Sequence, residues 1–172
     1  QEGMNIVGDR FAEQEYFVSD LIFAGGLMSS AMDIIRPALL QGSGGDLGKM
    51  ILCTVEGDLH DIGKNIVRSM LEASGFTVID LGIDVKPEVI VDAAKDQSIS
   101  IVALSGVLTL AIDAMKKTVE AFKAAGMRDD IKIIIGGAPV NADVSAVVGA
   151  DAWAINPNDT IKTCRTWAGG AA

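Results

Sequence analysis

From residue 50 to residue 167 the chain alternates five times between a short apolar run and a stretch with helical spacing. The runs Met50–Val55, Phe76–Asp80, Ile99–Leu104, Ile131–Ile135 and Ala152–Ile155 read as strands. Helices are predicted over about Asp61–Ala73, Pro87–Asp96, Ala111–Ala125, Asp143–Val148 and Thr160–Trp167. Pro87 is a helix-opening residue, and Gly75 and Gly126 are helix stops. The strands lack the polar alternation of a sheet with one wet face, so helices must cover both faces. The expected fold is therefore α/β, a five-stranded parallel, doubly wound sheet. In such sheets ligands bind beyond the carboxyl ends of the strands, near the point where strand order reverses.

The residues before the sheet follow a different pattern. Met4, Val7 and Phe11, and then Phe17, Leu21, Met28, Met32 and Ile35, recur at helical spacing, with a polar break at Glu13-Gln14-Glu15. Pro37 is expected to kink or restart the second helix near its end. Gly25-Gly26 costs that helix roughly 1 kcal/mol per glycine relative to alanine, which close packing against a neighbour would explain. Two helices cannot enclose a core, so residues 1–42 are expected to be part of a helical bundle lying against the sheet. Gly42-Ser43-Gly44-Gly45-Asp46 cannot form the interior of a helix or strand. Residues 43–48 are thus expected to link this cap to an α/β domain over residues 49–172.

Charge narrows the function classes. With 14 Lys+Arg against 23 Asp+Glu the net charge is −9, and the chain would repel a phosphate backbone. Nucleic acid is therefore not an expected partner. No apolar run approaches the ~20 residues needed to cross a bilayer, so a membrane is not expected either. Cys53 and Cys164 form no C-x-x-C pair, and with a single histidine they cannot build a zinc site. The G-x-G-x-x-G and G-x-x-x-x-G-K-[ST] phosphate loops are absent. The chain begins at Gln1 rather than at a start methionine, and no secretory signal is visible, so a reducing cytoplasm is the expected location.

Three sequence-distant segments fall at the carboxyl ends of predicted strands. The first strand runs into Glu56-Gly57-Asp58-Leu59-His60-Asp61-Ile62-Gly63, which holds the only histidine of the chain. The third runs into Ser105-Gly106-Val107-Leu108-Thr109, and the fourth into Gly136-Gly137-Ala138-Pro139. Glycines let backbone approach a bulky ligand, and the hydroxyls of Ser105 and Thr109 can donate to one. Each feature also has a plainer reading. A histidine in such a loop can be a solvated or capping residue, Asp58, Asp61 or Ser105 can cap a helix, and paired glycines can simply make a turn. Asp58 beside His60 suggests a catalytic Asp/His pair, but no nucleophile stands in a recognisable motif to complete a triad.

In combination the segments carry more. Asp58-Leu59-His60-Asp61-Ile62-Gly63 matches D-x-H-x-x-G, Ser105-Gly106-Val107 stands close to S-x-L, and Gly136-Gly137 follows as a third element. In this order, within one α/β domain, they resemble the cobalamin-binding domain family. Gly57–Val67 and the Asp80-Leu81-Gly82 turn look like the corresponding module of cobalamin-dependent methionine synthase. Gly3–Phe11 looks like that family's helical cap, of which these two helices would be a part. The overall resemblance is to the small corrinoid proteins of methyltransferase systems. It implies a Rossmann- or flavodoxin-like sheet with a partial N-terminal helical cap.

The resemblance also implies roles. The cofactor would be methylcobalamin or another corrinoid, bound with its dimethylbenzimidazole tail pulled off cobalt and pushed into the sheet. His60 would take the vacated lower axial position, and Asp58 would accept a hydrogen bond from its other ring nitrogen, fixing the tautomer. Gly57, Leu59, Asp61 and Ile62 would complete the cofactor-binding loop, and Gly63 would leave room for the tail. Ser105 and Thr109 would make polar contacts, Val107 would stand in for leucine, and Gly136 and Gly137 would line the channel. Methionine synthase extends its hydrogen-bond chain through a serine where this sequence has Ala111, so that relay does not carry over. Phe11 and Val18 would cover the upper face of the corrin and keep water from cobalt, although Phe11 reads equally well as core. The implied function is that of a non-catalytic methyl carrier between a substrate-specific methyltransferase and an acceptor methyltransferase using a folate or a thiol. A reductive activating protein would be a third partner. The alternatives are a cobalamin-responsive regulator and the cobalamin subunit of a radical mutase; the cap-like segment argues for methyl transfer.

Overall fold

The computed structural model describes residues 2–41, 47–97 and 99–169. Two helices, α1 (Glu2–Ala12) and α2 (Val18–Gln41), come first. The sheet domain follows as β1 (Lys49–Val55), α3 (Ile62–Ala73), β2 (Thr77–Val85), α4 (Pro87–Asp96) and β3 (Ile101–Ser105). It closes with α5 (Ala111–Ala124), β4 (Lys132–Gly136), α6 (Ala142–Val148), β5 (Ala152–Ala154) and α7 (Pro157–Trp167). Every strand pair is parallel and the spatial order is β2-β1-β3-β4-β5. The chain steps outward from β1 to β2 and then crosses back to β3, so strand order reverses between β1 and β3. The loops after these two strands therefore flank the crevice in which doubly wound sheets bind ligands.

The expected sheet with two covered faces is what forms. Successive residues of β1 point to opposite sides: Ile51, Cys53 and Val55 join one core, Met50 and Leu52 the other. The first core packs against Ile90, Met115 and Phe122 from α4 and α5, the second against Met70, Leu71, Ile161 and Cys164 from α3 and α7. Each large apolar side chain buried in this way contributes about 1.5–3 kcal/mol. α2 lies along α3, and a Cβ at Gly25 would sit 3.7 Å from Ile66 Cγ1. The first of the two mid-helix glycines thus faces a neighbour.

Two local expectations need correction. Asp80-Leu81-Gly82 is not a turn after a short strand but lies within β2, which runs on to Val85. Its pairing with β1 slips between Leu52 and Cys53 and again before Val55, and Gly82 (φ +91°) and Asp84 (φ +53°) take left-handed conformations there. Extra residues are absorbed as bulges, so the strand survives a sequence that reads as a turn. α7 begins at Pro157, earlier than expected, because Asn156 Oδ1 accepts the Asp159 N–H at 2.9 Å and Pro157 suits the first helical position. Pro37 lies inside α2, near its end, and the helix runs on to Gln41. Of the expected linker, residues 43–46 lie outside the described residues, while Leu47 and Gly48 are hydrogen-bonded just ahead of β1. The Leu47 N–H donates to Gly75 O, and Gly48 O accepts from the Thr77 N–H. No helix among the described residues is long and apolar enough to cross a membrane.

Candidate functional site

Gly57, at φ +81°, turns the chain after β1 so that the Asp58 N–H donates back to Val55 O at 3.0 Å. This turn drops the Asp58 side chain into the β1/β3 crevice, where it is 0% exposed. Its Oδ1 accepts the His60 N–H at 2.9 Å and lies 3.0 Å from His60 Nδ1. Its Oδ2 accepts the N–H groups of Val107 at 2.7 Å and Leu108 at 3.1 Å. One carboxylate thereby ties the loop after β1 to the loop after β3. Burial pushes the Asp58 carboxyl up, but the N–H donors of His60, Val107 and Leu108 and the His60 ring outweigh it and hold the group below its ordinary value. An ionised Asp58 can only accept, so in the neutral imidazole Nδ1 carries the proton and Nε2 keeps its lone pair. Nε2 takes no hydrogen bond from the described residues, and the side chain is 52% exposed.

His60 borders a cavity of about 810 Å³ over the carboxyl ends of β1, β3, β4 and β5. Leu59, Asp61, Ile62 and Gly63 line it from the loop after β1, Ser105 and Val107 from the loop after β3, and Gly136 and Gly137 from the end of β4. Phe11 and Val18, from α1 and α2, close its other side. Phe11 is 40% exposed, so it is not the core residue it could have been. Gly57 and Asp58 are not among the residues that line the cavity. Thr109 is not brought to the wall: it lies exposed at the turn into α5, its carbonyl accepting the Ile112 N–H. Ser105 ends β3 and caps no helix, because α5 begins only at Ala111. Asp61 occupies the N-cap position of α3 without a capping side-chain bond, and its Oδ2 accepts from Asn65 Nδ2 instead. Gly137 is required by its surroundings, since a Cβ there would lie 2.0 Å from Gly106 O and the φ is +122°.

Sequence reasoning missed the depth of this cavity and what supports it. Leu52, Ala103, Ile134, Ala154, Pro157 and Thr160 reach it from the strands and from α7. The rule that ligands gather at strand carboxyl ends could have pointed to the loop after β5. Lys64 also lines the cavity, is 3% exposed, and pairs with Asp80 Oδ2 at 2.5 Å, which Arg68 joins at 3.2 Å. Burial pushes Asp80 up, yet Lys64, the Gly82 N–H and Arg68 bring it below its ordinary value.

The residues fit a metal that arrives inside a cofactor. Among the described residues no three His, Cys, Asp or Glu side chains cluster as a metal site. A lone imidazole cannot hold a free ion, but it can serve as the axial donor to a metal with its own equatorial ligands. The deep part of the cavity is apolar, with the small residues Gly63, Ala103, Gly136 and Ala154 in its lining.

Comparison with known proteins agrees with this fit. Residues 48–161 match a family model described as B12 binding domain, and residues 1–36 match a second model of the same description. The chain is 36% identical over 165 residues to trimethylamine corrinoid protein 1 of Methanosarcina acetivorans, covering 95% of this chain and 76% of that protein. A cobalamin-binding protein from Desulfitobacterium hafniense is 56% identical, with a TM-score of 0.76 over 96% of this chain and 78% of that one. The methanol:cobalamin methyltransferase complex of Methanosarcina barkeri contains a chain 25% identical, with a TM-score of 0.72 over 99% of this chain and 65% of that one. This chain belongs to the B12-binding domain family, among the corrinoid proteins, and its cofactor is a cobalamin or a related corrinoid.

Proposed function

We propose that this chain is the corrinoid-carrying component of a methyltransferase system. It holds the cofactor with the nucleotide base displaced from cobalt and His60 Nε2 in the lower axial position. A methyl group passes through it from a substrate-specific methyltransferase to an acceptor methyltransferase that uses a folate or a thiol, and a reductive activating protein is the third partner. The observation that carries this reading is the Asp58–His60 pair, in which the Asp58 carboxylate accepts the Nδ1–H and so keeps the ring proton there, leaving the Nε2 lone pair free at the cavity. When bound, the corrinoid supplies a metal centre that can accept a methyl group and release it.

The chain's own residues supply placement and shielding. Asp58, anchored on Val107 and Leu108, fixes the tautomer and orientation of His60. The apolar depth around Leu52, Ala103 and Ile134 takes the displaced tail, with Gly63 and Gly136 giving it room. Phe11 and Val18 cover the opposite side and exclude water, and α1 and α2 must move aside for a partner to reach the metal. In this reading residues 1–42 are the cap, 43–48 the linker and 49–172 the cofactor domain of a cytoplasmic protein. The similarity to a trimethylamine corrinoid protein makes methylated amines the first donors to test, and it supports a methyl carrier over a cobalamin-responsive regulator or a mutase subunit.

The test is reconstitution of the protein and its His60→Ala form with hydroxocobalamin, reduction to cobalt(II), and electron paramagnetic resonance. Splitting from a histidine nitrogen is expected in the parent protein and lost in the variant. Identical spectra would overturn the axial assignment.

A further inference from the structure

The loop that carries His60 is held from a strand outside its own motif. Asp84, in the bulged part of β2, has φ +53°, a left-handed conformation that Gly, Asn and Asp tolerate best. From it, Asp84 Oδ1 accepts the Gly57 N–H at 2.7 Å. The Asp84 N–H donates to Asp58 O at 3.1 Å and to Thr54 Oγ1 at 2.9 Å. Thr54, fully buried, donates in turn to the same Asp58 carbonyl at 2.5 Å. Backbone on both sides of the Gly57–Asp58 peptide is therefore pinned to one residue of β2. At the other end of the loop, Lys64 is pinned to Asp80 of the same strand, whose Oδ1 also accepts the Gly82 N–H at 2.9 Å. His60 lies between these two anchors, and its ring is half exposed.

Asp84 touches neither the cavity nor the His60 ring, so any effect on the metal must pass through the backbone of the loop. An axial donor has to be held within about 0.5 Å of its productive place, and packing alone does not hold a half-exposed ring. We propose that Asp84 is a positioning residue for His60: by clamping the Gly57 N–H and the Asp58 carbonyl, it sets how far the His60 ring reaches toward the corrinoid metal. This rests on the axial role given to His60 above.

The test uses three variants of the full chain. Asp84→Gly keeps the left-handed backbone and its N–H but removes the carboxylate. Asp84→Asn keeps an acceptor oxygen for the Gly57 N–H. Thr54→Val, close in shape, removes the second acceptor of the Asp84 N–H and the hydroxyl donor to Asp58 O. In the cofactor-free protein, amide hydrogen exchange at Gly57 is expected to quicken about tenfold in Asp84→Gly, the loss of one charge-assisted hydrogen bond. After loading with hydroxocobalamin and reduction to cobalt(II), Asp84→Gly is expected to lose most of the histidine-nitrogen splitting and to bind the cofactor about tenfold more weakly. Asp84→Asn is expected to stay within about twofold of the parent, and Thr54→Val to move the same signals in the direction of Asp84→Gly. Undiminished splitting in both Asp84→Gly and Thr54→Val, with the parent showing it, overturns this proposal alone. A parent protein without the splitting overturns the axial reading, and the positioning role falls with it.

Discussion

Asp58 Oδ1 lies 3.0 Å from His60 Nδ1, and the same oxygen also accepts the His60 backbone N–H. Ring and backbone of the histidine are thus tied to one atom, while the partner oxygen is saturated by Val107 and Leu108. Asp58→Asn cannot reproduce this, because one of its two positions becomes an NH₂ facing N–H donors. The variant is expected to unfold at lower urea concentration, with a loss of roughly 2 kcal/mol. Equilibrium unfolding followed by circular dichroism checks it; an unchanged midpoint would mean that the four bonds contribute no net stability.

Asp58 and Asp80 are both held below their ordinary carboxylate values, so stability must depend on acidity. A group whose folded value is depressed binds protons more readily when unfolded. Its contribution is complete above the unfolded value of about 3.9 and is lost as pH falls through the lower folded value. The contribution of Asp58 and Asp80 to the unfolding free energy should therefore be flat from about pH 7 to pH 5 and fall below about pH 4. In Asp80→Asn part of that acid slope should be missing, which urea titrations across the same range would show.

Two glycines at the cavity should respond oppositely to alanine. At Gly137 a Cβ would collide with Gly106 O at 2.0 Å in a left-handed backbone, so Gly137→Ala is expected to cost roughly 3 kcal/mol. At Gly63, in the first turn of α3, a Cβ meets nothing within 4 Å. Gly63→Ala should therefore leave the cofactor-free protein as stable or up to about 1 kcal/mol more stable. If Gly63 leaves room for the cofactor tail, the same variant should bind hydroxocobalamin more weakly, a combination that thermal unfolding and spectrophotometric titration separate.

Both cysteines should be inert while the protein is folded. Burial pushes the Cys53 thiol up to about 12, with Asp80 adding to the rise and Lys64 opposing it, and burial raises Cys164 to about 12 as well. Iodoacetamide at pH 8 is expected to leave both unmodified in native protein and to label both in urea, as mass spectrometry would show.

Much of the fold was legible because it depends on repeating patterns. Apolar strand runs alternate with helical spacing, and that alternation leaves few options besides a parallel sheet covered on both faces. The boundaries that went wrong share a cause. Asp80-Leu81-Gly82 carries the local chemistry of a turn, yet β1 beside it supplies pairing partners through Val55, and the bulges at Gly82 and Asp84 let β2 continue. Local composition does not register what an adjacent strand will stabilise. Asn156-Pro157 was a readable helix start, and the plain cap rule would have found it.

The candidate site divides along the same line. The sequence by itself determined that the segment Asp58–Gly63, with the chain's one histidine, follows a strand of a doubly wound sheet, and hence that it faces the ligand crevice. Only the tertiary structure decided what holds that loop. Asp58 reaches Val107 and Leu108 across 49 and 50 residues, and Asp84 reaches Gly57 across 27. Thr109, which looked equivalent to Ser105, was carried away from the cavity by the turn into α5. Such contacts follow from strand order, from register slips and from a few left-handed residues. These belong to the packed sheet as a whole, and no short stretch of sequence encodes them.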